Sequence, residues 1–341
     1  MAIDLLEGFE SQVATTGGLF QTISGTLVGA GGRTGGYLQC DSGVMQWVRT
    51  LDTAHITQRL AFGWRTHLNG SAAAEFLRFR GDGGTVTHVV LEATFTGVLQ
   101  VRRGVGGTVL ASTPTNTVLV NVWHHIEMAV TISDTVGTVE LWVDSVKLID
   151  ISNQDTRNAG ASANLDQIAG GLLLTTYGDM DFDDLIIATN HGTQLGECKV
   201  YERTLTGNGN YSQLLGSDGN STDNYLLTDD VAPPSLTDYA GSATAGQHDT
   251  YAVQDLPASV PTGATIPAVE WRSYAGKSDA GAKFLKPMLR RASTDHVAAS
   301  QAVVQAGSML HHIFETDPIA AGAWTVSNVN ACEYGGEVSD T

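Results

Sequence analysis

Residues 122–150 read V-W-H-H-I-E-M-A-V-T-I-S-D-T-V-G-T-V-E-L-W-V-D-S-V-K-L-I-D. Trp123, His125, Glu127 and Ala129 share one side of an alternation. His124, Ile126, Met128 and Val130 share the other. After a turn at residues 133–137 the alternation resumes, with Val139, Leu141 and Val143 set against Glu140, Trp142 and Asp144. A period of two sustained this long predicts two strands of a β-hairpin with one buried face. Asp144-Ser145 then predicts a tight turn into a third strand beginning at Val146.

The rest of the chain agrees with a strand-and-turn architecture. Among 341 residues, 39 are glycine, and few windows show a helical period. Hydrophobic residues make up 42% and charged residues 16%, a composition ample for two cores. Short strand-like runs, such as 59–66, 74–80, 87–91 and 99–102, are divided by turns at Leu68-Asn69-Gly70 and Gly81-Asp82-Gly83-Gly84. Such spacing predicts a β-sandwich. Residues 196–255 are turn-rich and poorly periodic, and alternation returns beyond them at 266–274, 284–289, 307–315 and 326–338. The expected organisation is a sandwich over 1–195, an extended connector over 196–255 and a smaller C-terminal β-domain over 256–341.

The formal net charge is -18, and no basic stripe interrupts it. Such a surface repels phosphate backbones, so nucleic acid is not an expected partner. No apolar run approaches the roughly 20 residues of a membrane helix, so membrane insertion is not expected. The N-terminal Asp4, Glu7 and Glu10 lack the basic and apolar regions of a signal peptide. Cys40, Cys198 and Cys332 are too few and too scattered for a disulfide framework and read as buried thiols made in a reducing cytoplasm.

The hairpin carries a resemblance. Trp123-His124-His125-Ile126, then Gly137, Val139 and Leu141-Trp142-Val143-Asp144, resemble the pattern of laminin-G-like, concanavalin A-like jelly rolls. The implied fold is an all-β jelly-roll sandwich followed by a smaller β-sandwich-like domain. That fold hosts lectins, glycosidases and structural modules alike. A second resemblance spans most of the chain. Leu5, Gly8, Phe9 and Glu10, then Phe182-Asp183-Asp184-Leu185, Asp229 to Pro234, and Asp317-Pro318-Ile319 with Trp324 resemble tailed-bacteriophage and prophage virion proteins. It implies a non-enzymatic structural part of a virion (decoration, fibre or baseplate-associated), made in the host cytoplasm. Its implied partners are other virion proteins and copies of itself. The alternative is a carbohydrate-binding adhesin module for host surface glycans, and behind it stands a glycosidase.

The sharpest constellation is Asp179, Asp181, Asp183 and Asp184. Carboxylates this close need donors or a hard cation such as calcium, the one cofactor the sequence suggests. Alternation along a strand sets Asp181 and Asp183 against Asp184, and the spacing fails the EF-hand pattern. Both a metal site and structural capping of backbone N–H groups stay open. Glycoside hydrolysis needs paired carboxylates. The Glu-x-Asp-x-(x)-Glu strand by which concanavalin A-like glucanases present theirs is absent, and no catalytic residue is assigned. His124-His125 and His311-His312 are adjacent on strands and point to opposite faces. Trp142 alternates with Leu141 and Val143, so it is expected to face outward and contact a glycan or a partner.

Overall fold

The computed structural model describes residues 2–10, 19–41, 43–67, 73–158, 162–173, 178–189, 192–229 and 236–341. The turn at Leu68-Asn69-Gly70 and the motif at residues 230–234 lie outside these. The chain forms two compact units, the first ending at Val200 and the second running from Tyr201 to Thr341.

The first unit is a jelly-roll sandwich of two antiparallel sheets. The front sheet runs, in spatial order, Val146–Gln154, Gly137–Val143, Trp123–Thr131, Thr57–Thr66, Met180–Thr189, Tyr37–Cys40 and Thr26–Val28, with Ala2–Glu7 also pairing to Met180–Thr189. The back sheet runs Thr108–Ser112, Leu99–Arg103, Val86–Ala93, Ala74–Gly81, Leu165–Leu172, Met45–His55 and Thr22–Ile23. The hairpin forms as the alternation predicts: Ile126 opposes Val143, Met128 opposes Leu141 and Val130 opposes Val139. Asp144 and Ser145 both take positive φ, 49° and 68°, the left-handed pair that a two-residue hairpin turn requires.

The core lies between the sheets. Trp64 of the front sheet stacks on Phe76 of the back sheet, 4.3 Å between centroids and 17° between planes. Phe182 stacks on Phe62 and meets the Trp47 ring edge-on. His124 faces inward, where its Nδ1 meets Asp144 Oδ2 at 2.7 Å and its Nε2 accepts the Leu119 amide. Both ring nitrogens of His124 are thus matched.

The second unit has a six-stranded sheet containing Leu205–Ser212, His248–Val253, Glu333–Ser339, Phe284–Arg291 and Thr294–Val297, and a separate pair, Val269–Ala275 with Ser308–Phe314. Its core gathers Trp271, Leu289, Phe314, Trp324 and Val329. Two expectations differ here. The segment expected as an extended connector supplies two strands of this sheet, Leu205–Ser212 and His248–Val253. Its order comes from buried Asp249, which accepts the Gln213 and Leu214 amides, Asn224 Nδ2 and the Tyr251 hydroxyl. A polar network leaves no trace in apolar periodicity. Residues 326–338 were expected as one strand, but Val326–Asn330 is a helical turn capped by Thr325, whose side chain accepts the Asn328 amide.

Candidate functional site

The front sheet turns a charged face outward, and that face is closed upon itself. Arg59 bonds Glu127 at 2.6 Å and Glu140 at 3.0 Å. Glu127 also accepts the amides of Leu195 and Gly196, so residues 195–200 lie across the sheet. Trp142 does face outward, but it is only 5% exposed. Arg59 and Lys147 sit 4.9 and 4.8 Å from its ring centroid and cover it. The exposed aromatic contact expected there is absent, because long basic side chains on neighbouring strands close over the ring.

The aspartates divide into two sets. Asp181 Oδ2 is taken by Arg65 and His67, each at 2.7 Å. Asp183 accepts the Arg33 amide at 2.5 Å and the Thr34 amide, while Asp184 takes the Arg33 guanidinium at 2.9 Å, the Thr34 hydroxyl and the Val200 amide. The strict alternation expected here is broken by a β-bulge between Asp183 and Ile186, where Asp184 has φ 51°. The bulge turns Asp183 and Asp184 to the same loop, and Gly63 leaves room for it: a Cβ there would stand 2.5 Å from Arg33 Cδ. Asp179 stands apart, half-buried, its carbonyl accepting the His67 amide. Asp181 Oδ1 is buried without a hydrogen-bond partner among the described residues, but Asp181 Oδ2, Asp183 and Asp184 take arginine, histidine, threonine and backbone donors and do not gather the six to eight oxygens that calcium wants around one point. Among the described residues no three His, Cys, Asp or Glu side chains are placed to hold a metal.

Burial, with the adjacent Asp184 charge, holds the Asp183 carboxyl above its ordinary range. A carboxyl raised on folding contributes stability that is full below the ordinary range, near pH 4, and is lost as pH rises through the folded value. Asp183→Asn is therefore expected to flatten the fall in stability above pH ~4, measured as melting temperature against pH. Buried His125 works the other way. Burial, with Arg33 nearby, lowers it to about 4, so it costs stability as pH falls below ~6.5. The Cys40 and Cys198 thiols are pushed up to about 12 by burial, which removes them as nucleophiles at neutral pH.

The back sheet presents a different outer face. Ala169, Arg78, Val90 and Arg102 form one row across four strands. Gln167 and Arg80 lie opposite each other in the next row, and Glu75, Glu92 and Gln100 form a third. Arg78 Nε and Nη2 both donate to Glu75 Oε2, at 3.0 and 2.5 Å. Arg102 donates to Glu92 at 2.5 Å and to Gln100 at 3.0 Å. Arg80 Nη1 donates to Gln167 Oε1 at 3.1 Å, and Gln167 Nε2 passes the chain on to Gln21. Side-chain exposure of 15% for Arg78 and 24% for Arg102 leaves their outer edges in water. The strands at 74–80 and 99–102 are legible in the sequence, but this lattice is not. Its signal was present, as arginines at positions 78, 80 and 102 of a strongly acidic chain, but only register shows that they share a face. A small cavity of about 100 Å³ near Thr66, Phe95 and Asn116 has no titratable group in its lining.

No family model and no curated protein matches this chain. Solved structures similar to it include alginate lyase Aly36B with an alginate trisaccharide, at 9% identity and TM-score 0.35, covering 46% of this chain and 82% of that one. Another is a sialidase at 12% identity and TM-score 0.38, covering 56% of this chain and 19% of that one. The Trypanosoma rangeli sialidase follows at 14% identity and TM-score 0.36, covering 50% and 29%. Likeness at this level carries no assignment of activity. The expectation of a non-enzymatic virion structural protein is corrected to this extent: the solved structures found similar are named as alginate lyases and sialidases. The short strand-and-turn motifs behind that expectation suit many β-sandwiches.

Proposed function

We propose that the first unit binds carbohydrate on the outer face of its back sheet. The observation that carries this reading is the three-row lattice of Arg78, Arg80, Arg102, Glu75, Glu92, Gln100 and Gln167. Sugar hydroxyls donate and accept at once. Glu75, Glu92 and Gln167 are buried and hold the guanidinium groups in place, and each guanidinium carries five N–H groups, more than its internal partners use, leaving donors for sugar oxygens. The lattice stands on strands rather than loops, so its side chains are held in place before ligand arrives. Binding without turnover is the reading favoured. Both carboxylates of the face, Glu75 and Glu92, are tied to arginines and are not disposed as a general acid and a free base.

The full chain applied to a glycan array tests this. Arg102→Gln is expected to weaken the bound set about tenfold, or ~1.4 kcal/mol, while Trp142→Phe on the front face leaves it unchanged. An array with no bound glycan would overturn the proposal.

A further inference from the structure

Resting on that reading, we propose that Arg80 receives the carboxylate of an acidic sugar residue, so that the back-sheet face selects uronate-type glycans. Every other arginine of the first unit pairs with a carboxylate of the chain. Among the described residues Arg80 has none, and its one hydrogen-bond partner is the neutral Gln167 Oε1. In a chain with 36 acidic and 18 basic residues, a half-buried arginine without an acid needs an explanation. Burial and the neighbouring Arg78 charge both hold the guanidinium below the ordinary arginine range, and no acidic group offsets them. A buried charge without a counter-ion costs stability, and such costs persist where a site serves a ligand.

The chemistry of the partner follows from the group. A guanidinium is a planar fork matching the two coplanar oxygens of a carboxylate. Gln167 holds the fork from one side through Nη1 and is itself fixed by Gln21. Arg78, two positions along the same strand, is paired with Glu75, so the charge left without a carboxylate on this face is that of Arg80. The net charge of -18 does not forbid an anionic ligand, because charges more than about 8 Å away are largely screened at physiological salt. The local arginine field then decides.

Affinity electrophoresis of the full chain at about 0.15 M salt tests the proposal, with three gel-embedded probes. These are polygalacturonate, the same polymer fully methyl-esterified, and dextran sulfate. The expected result is retardation by polygalacturonate at least tenfold stronger than by the ester. Arg80→Gln should abolish that difference, and Arg157→Gln should keep it. Melting temperatures control for folding: Arg80→Gln is expected to melt at or above the parent temperature, since it removes an unpaired charge. Equal retardation by acid and ester, retardation by dextran sulfate alone, or a lowered melting temperature in Arg80→Gln would each overturn the assignment. If the array still returns bound glycans, those results leave the glycan reading standing; an empty array strikes that reading instead.

Discussion

Glu127→Ala is expected to lower the stability of the first unit by about 3–5 kcal/mol, the cost of breaking a buried ion pair from one side. Glu127 is fully buried and bonds Arg59 at 2.6 Å. It also accepts the Leu195 amide at 2.8 Å and the Gly196 amide at 3.0 Å, so it pins the crossing segment to the sheet. Alanine would take from Arg59 its fully buried carboxylate partner and strand two amides in a dry site. Native domains hold only about 5–15 kcal/mol in all, so the loss should be plain in urea unfolding. Glu127→Gln keeps the volume and one acceptor and should cost less. A change below ~1 kcal/mol in the alanine variant would contradict the view that this face is locked by internal pairing.

Trp64→Ala is the second large effect, again about 3–5 kcal/mol. The indole is wholly buried and stacks on Phe76 across the sandwich, so its loss opens a cavity where the two sheets meet. Trp64→Phe separates cavity from chemistry. Trp64 Nε1 is buried without a hydrogen-bond partner among the described residues, and phenylalanine removes that orphan donor along with some volume. The phenylalanine variant should therefore lose far less than the alanine variant in the same unfolding measurement. Equal losses would place the contribution in the indole volume that phenylalanine lacks rather than in the stacking on Phe76.

The hairpin was legible in the sequence because its signal is local: a period of two fixes which of residues 123–131 and 137–143 face inward, and Asp144-Ser145 fixes the turn. What alternation alone left hidden was non-local. The bulge at Asp184 reverses the side-chain parity of the aspartates, and the two carboxylates it brings together meet Arg33, some 150 positions earlier. Trp142 lies on the outward side that alternation predicts, yet its cover comes from Arg59 and Lys147, whose approach follows from strand order. The second unit's edge strand was masked by Gly, Asn and Ser, residues that read as turns until Asp249 gathers their neighbours. The arginine lattice needs the register of four strands at once, which no window of sequence contains.

The most direct test of the central claim is the arginine Nε–Hε NMR spectrum of the full chain, titrated with the glycan best bound on the array. Binding on the back sheet predicts that the Arg78, Arg80 and Arg102 resonances move with ligand while those of Arg59 and Arg65 stay fixed. Movement of Arg59 and Arg65 with the back-sheet arginines unmoved would place the ligand on the front face and contradict the account.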